Sequence, residues 1–148
     1  LDRKVSDVGI VAAIIGVNPS TADAEKNDAT IRKDIGFAER NGWRHIIKAN
    51  KFSYRATDVR ELAKCFDPVG PDNDQHILQI MREADILVAA WGPLAKLPKH
   101  LRGRYKSIVR MAECVGKPLY CFGTSNDGQP RHTLMLPYST QLELWSAP

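Results

Sequence analysis

The chain has 148 residues, 43% of them hydrophobic, and a formal net charge of +4. That suits one globular domain, residues 1–148, with a real buried core. No apolar stretch approaches the roughly 20 residues that span a bilayer, so no membrane association is expected. Leu1-Asp2-Arg3-Lys4 lacks the apolar core of a secretory signal. The mild basicity permits binding to nucleic acid or phosphorylated substrates without requiring it. Cys65, Cys114 and Cys121 are far apart with no paired spacing, so reduced thiols, no metal centre and no cofactor are expected.

Ile10 to Ile15 is a short apolar run ended by Gly16, the pattern of a buried strand. Residues 17–29 are polar, contain Pro19 and Asn27-Asp28, and read as a loop with one helical turn. Thr30 to Arg40 places Ile31, Ile35 and Ala38 on one face and predicts a helix stopped by Asn41-Gly42. Trp43 to Phe52 predicts a second strand. Asp58 to Cys65 predicts a short helix capped by Thr57 or Asp58, and Phe66 to Pro71 a turn. Asp72 to Glu83 repeats His76, Ile77, Ile80 and Met81 at helical spacing. Asp85 to Trp91 predicts a third strand, Pro98 to Val115 a third helix ended by Gly116, and Lys117 to Phe122 a fourth strand. Ser125-Asn126-Asp127-Gly128 is a turn signal; from Leu134 onward no pattern stands out. The alternation predicts a three-layer α/β/α sandwich around a central four-stranded parallel sheet.

Each predicted strand runs into a polar or glycine-containing cluster. If the strands are parallel, those clusters share the sheet edge where open α/β sheets bind ligands. Gly16-Val17-Asn18-Pro19-Ser20 follows the first strand. Pro19 holds Asn18 extended, and its amide then either orients a water or base edge or stabilises a turn. Asn50 ends the second strand, as a ligand contact or a loop tie, with Phe52 just beyond. Trp91-Gly92 ends the third, Trp91 as core or as a ligand platform. Beyond the fourth lie Arg131, able to hold a phosphate, and His132, able as a neutral imidazole to donate to a developing negative charge. Asp23, Glu25 and Asp28 could supply a general base or a metal ligand, or simply cap a helix and add solubility. Lys96, Lys99, His100, Arg102, Arg104, Lys106 and Arg110 fall within a short stretch that could track a phosphate backbone.

Gly16-Val17-Asn18-Pro19 resembles the first active-site motif of the uracil-DNA glycosylase superfamily, particularly its mismatch-specific branch. Asn50-Lys51 is similar to its base-contacting strand-end Asn, Leu87 to Gly92 to its central strand motif, and Arg131-His132-Thr133-Leu134 to its second active-site motif. Thr133 stands where those enzymes have Pro, and Ser20 where they have Gly. Nearly the whole chain also resembles an uncharacterised family of bacteria and phages, domain of unknown function 1643. The carriers are Asn18 to Ala24, Tyr54-Arg55-Ala56-Thr57-Asp58, Pro68 to Asp74 and Gly128 to His132.

The resemblance implies a glycosylase-like fold and a hydrolase acting on a uracil-type or modified base, in the cytoplasm of a bacterial or phage-infected cell. The base would enter the crevice. Catalysis would fall to Asn18, His132 and Asp23. Gly16, Pro19, Ser20, Asn50, Phe52, Trp91, Gly92 and Arg131 would bind the substrate, with DNA or a nucleotide as partner and no obligate protein partner. The alternatives are a non-catalytic nucleic-acid or nucleotide-binding module on the same scaffold, or a transferase that modifies a DNA base.

Overall fold

The structure is a computed structural model that describes residues 1–19 and 27–148. Ser20 and Asp23 lie outside the described residues. The chain forms a mixed α/β fold on a six-stranded sheet of order β1-β3-β2-β4-β5-β6. Its elements are β1 (Asp2–Lys4), β2 (Ile10–Gly16), α1 (Ala29–Asn41), β3 (Trp43–Asn50), α2 (Asn73–Glu83), β4 (Ile86–Ala89), α3 (Tyr105–Val115), β5 (Leu119–Cys121) and β6 (Glu143–Trp145). β2 pairs parallel with β3 and with β4, and β4 pairs parallel with β5. The two edges, β1 on β3 and β6 on β5, are antiparallel. Sequence pattern predicts four strands and misses these edges. Each is three residues long, too short for a period of two to show.

Alternation along the central strands sorts the core into two sheets of side chains. Ala13, Ile15, Leu87 and Ala89 pack with Ile77 and Met81 of α2 and Ile108 and Ala112 of α3. Ala12, Ile14, Ile46, Val88 and Ala90 pack with Phe37 and Ala38 of α1 and with Leu136 from the C-terminal segment. Helices therefore cover both faces. α1 begins at Asp28, whose carboxylate accepts from Ile31 N at 2.9 Å, and ends at Gly42 in the left-handed region. Gly36 sits where α1 meets the C-terminal segment, since a Cβ there would lie 2.4 Å from the Tyr138 ring. Lys117 donates to the carbonyls of Met81, Arg82 and Ala84, closing the end of α2.

Two predicted helices take a different form. Val59–Lys64 is a 3₁₀ helix, capped by Asp58 as expected. The stretch predicted as one helix from Pro98 divides into a 3₁₀ segment at Lys99–Arg104 and then α3, and a further 3₁₀ turn at Leu94–Lys96 precedes it. Among the described residues no helix is long and apolar enough to cross a membrane.

Candidate functional site

The carboxyl ends of β2, β3 and β4 open onto a cleft of about 1040 Å³. Gly16, Asn18 and Pro19 line it from β2, Lys48 and Asn50 from β3, Trp91 and Gly92 from β4, and Arg131 and His132 from the loop after β5. The pairing explains the gathering. β2 and β3 are in register with Gly16 opposite Asn50. The ladder then runs past both strands, with Lys51 N donating to Gly16 O at 3.0 Å and Phe52 N to Val17 O at 2.8 Å. Gly92 N donates to Pro130 O at 2.8 Å, which stitches the end of β4 to the loop carrying His132.

Asn18 is anchored by its own amide. Nδ2 donates to the carbonyls of Pro19 at 3.1 Å, Tyr54 at 3.3 Å and Ala56 at 2.8 Å. The turn-stabilising role is thus filled, and among the described residues Oδ1 has no donor and is able to accept from a ligand or water. The Asn50 side chain makes no hydrogen bond among the described residues, although the strand end is held by Asn73 Nδ2 on the carbonyls of Asn50 and Lys51. It brings a free donor and a free acceptor to the cleft.

His132 Nδ1 accepts from Leu134 N at 3.2 Å. In the neutral ring this puts the proton on Nε2. Burial holds the imidazole below its ordinary pKa; Lys48 and Lys96 push the same way, against the carboxylates of Asp34 and Asp28. Arg131 lines the cleft while its Nε donates to Thr124 O at 3.1 Å. Trp91 is almost fully buried, its indole N–H on Gln129 Oε1 at 2.9 Å and its ring edge-on to Trp145. It contributes a wall rather than an open platform.

One expected contact is corrected. Phe52 is fully buried in a cluster with Leu62 and Leu97, and it borders a smaller recess of about 250 Å³ rather than the large cleft. A base in the main cleft has no Phe52 face to stack on. The basic stretch is also divided by the fold. Arg102 donates to Leu97 O and Ala95 O, and Arg104 to Lys51 O and the carboxylate of Asp74. These two cations tie loops together, while Lys96 lines the cleft.

Sequence reading missed Asp34 and Lys48. Asp34 is fully buried; Oδ1 accepts from Thr133 Oγ1 at 2.6 Å and Oδ2 from Lys48 Nζ at 3.0 Å. The signal available was a charged residue on the apolar face of α1, three positions after Ile31. It also missed Lys51, fully buried, whose Nζ is the buried side-chain nitrogen without a hydrogen-bond partner among the described residues and lies 5.0 Å from the centre of the Trp91 ring. Burial, and then Arg104, lower its pKa to about 7. Among the described residues no cluster of three or more His, Cys, Asp or Glu could hold a metal ion.

These features define a mixed α/β protein with a cleft at the carboxyl ends of its parallel strands. A family model described as "Protein of unknown function (DUF1643)" matches residues 1–134, and the chain belongs to that family. No curated protein matches it. No solved structure matches it either.

Proposed function

We propose that this protein is a nucleobase- or DNA-processing enzyme, a glycosylase-like hydrolase that cleaves the N-glycosidic bond of a uracil-type or modified base. One observation carries the reading: Asn18, Asn50 and His132, from three separate segments, line one cleft with complementary hydrogen-bonding roles. The choice of reaction rests on the likeness of their motifs to the uracil-DNA glycosylase superfamily. The setting that follows is the cytoplasm of a bacterial or phage-infected cell.

Asn50 offers a donor and an acceptor to the edge of a base. Asn18 Oδ1 accepts from a water and sets it against the sugar carbon. The bond from that carbon to the base nitrogen breaks with its electron pair passing to the base. Water oxygen bonds to the carbon, and the proton it sheds ends on the base. Asn has no useful basicity at neutral pH, so the rate comes from positioning and electrostatics. The Nε2–H of His132 stabilises the departing base anion; such a donor typically supplies about 2.7–4 kcal/mol.

The test is release of free base from oligonucleotides carrying uracil and a panel of modified bases, single- and double-stranded. Cleavage lost in His132→Ala and Asn50→Ala supports the enzyme. Tight, salt-sensitive binding without cleavage supports the binding module instead, and a modified but uncleaved base supports the transferase.

A further inference from the structure

Lys48 and Asn50 are two positions apart on β3 and so share one sheet face. It is the face covered by α1, since Ile46 packs there with Phe37. Both side chains converge over Gly16. A Cβ built on Gly16 would lie 3.1 Å from Asn50 Oδ1, 3.2 Å from Lys48 Cε and 3.3 Å from Lys48 Nζ. The absent side chain leaves the room in which the lysine reaches the cleft floor. The side chain of Lys48 is 9% exposed and that of Asp34 is 0% exposed. The ammonium is therefore held from behind by a carboxylate no ligand can touch, and the other oxygen of that carboxylate is taken by Thr133.

We propose that Lys48 anchors an anion subsite in the floor of this cleft and that the group it takes is the phosphate of a nucleotide. An ammonium has three N–H donors, and one of them is committed, to Asp34. Asp34 cancels much of the charge at a distance, so Lys48 acts by contact. A phosphate oxygen meets a fixed, largely desolvated donor, where a charge-assisted hydrogen bond is stronger than in water. Arg131 and Lys96 line the same cleft and favour an anion further out. The volume, about 1040 Å³, lies at the top of the range for small-molecule pockets. It leaves space beyond a base for sugar and phosphate. Asp34 is a positioning residue: it aims Lys48 and, through Thr133, fastens the loop of His132. The choice of a nucleotide rests on the function proposed above; the anion subsite does not.

The test uses probes without a base, so that it stands apart from any cleavage assay. Inorganic phosphate, 2-deoxyribose 5-phosphate and 2-deoxyribose are titrated into the full chain, and the backbone amide resonances of Gly16, Lys48 and Asn50 are followed. The two phosphate probes are expected to shift them saturably and the bare sugar is not. Lys48→Met alone leaves Asp34 as an unpaired buried charge and can fail to fold. The double variant Lys48→Met with Asp34→Asn removes both charges together. It is expected to weaken phosphate binding by about tenfold or more, while Lys48→Arg retains part of it. No saturable shift in the wild-type chain overturns the proposal, as does an unchanged affinity in the double variant. Phosphate binding without release of base from any oligonucleotide keeps the subsite and removes the glycosylase reading.

Discussion

The hydroxyl of Thr133 donates to Oδ1 of Asp34 at 2.6 Å, joining the loop of the cleft histidine to the middle of α1. Both residues are buried, so removing the hydroxyl leaves a carboxylate oxygen with no water to turn to. Thr133→Val is expected to destabilise the fold by about 1–3 kcal/mol. The measurement is urea denaturation, with a lower midpoint and an unchanged slope. An unchanged midpoint would mean that this bond contributes nothing net.

Lys51 makes a pH-dependent prediction. Its folded pKa, about 7, lies below the ordinary value of 10.5. Between these values the unfolded chain holds the proton and the native chain does not, so stability rises as pH climbs through that window. Below about 7 both states are charged, and the native state bears the full cost of a buried ammonium. Lys51→Met is expected to be more stable than wild type, by on the order of 3–5 kcal/mol near pH 6. The gap narrows toward pH 10. A gap that does not change with pH would refute the assignment.

Asn50 and Asn18 separate binding from folding. The Asn50 side chain makes no protein hydrogen bond among the described residues, so Asn50→Ala is expected to leave stability within about 0.5 kcal/mol. Base or nucleotide affinity falls by about 1–3 kcal/mol. Asn18→Ala deprives three carbonyls of their donor and is expected to lose stability as well as activity. Calorimetric binding and thermal melts on both variants check the contrast.

His132 is expected to titrate below 6.5, because burial and the lysine charges oppose its protonation. Protonation also places an N–H on Nδ1, facing the Leu134 amide that it now accepts from. Acid should therefore release this loop, with activity falling along the same limb. NMR titration of the imidazole, with the Leu134 amide shift read in parallel, tests it. A pKa above 6.5, or a Leu134 amide that ignores the transition, contradicts this arrangement.

Gly16→Ala probes the cleft floor. The new methyl would sit 3.1 Å from Asn50 Oδ1 and 3.2 Å from Lys48 Cε, closer than ordinary contact. The Asn50 amide and the Lys48 stem need to give by only a few tenths of an ångström, so the fold is expected to survive while nucleotide affinity drops. Unchanged affinity, measured by calorimetry, would show that neither side chain needs its present position.

Much of the site was legible in the sequence because strand ends announce themselves. Ile10–Ile15 stopping at Gly16, Ala49 at Asn50 and Ala90 at Trp91-Gly92 are local signals, and the ladder between β2 and β3 carries Gly16 opposite Asn50. The stretch from Pro98 to Val115 reads as one helix, yet its first part is a 3₁₀ segment in which Arg102 donates to the carbonyl of Leu97 and Arg104 to that of Lys51. Phe52 stands among the expected substrate-binding residues because it follows Asn50, yet it packs in a separate buried cluster with Leu62 and Leu97.

Hydrophobic period and turn chemistry, which act over a few residues, determined where the central strands, the main helices and the polar clusters lie. The ion pair of Asp34 with Lys48, the buried amine of Lys51 and the accepting face of His132 were decided by the tertiary structure. Each depends on which distant groups share a low-dielectric interior, and a charge's partner and its water are set by packing in space, not by its neighbours along the chain.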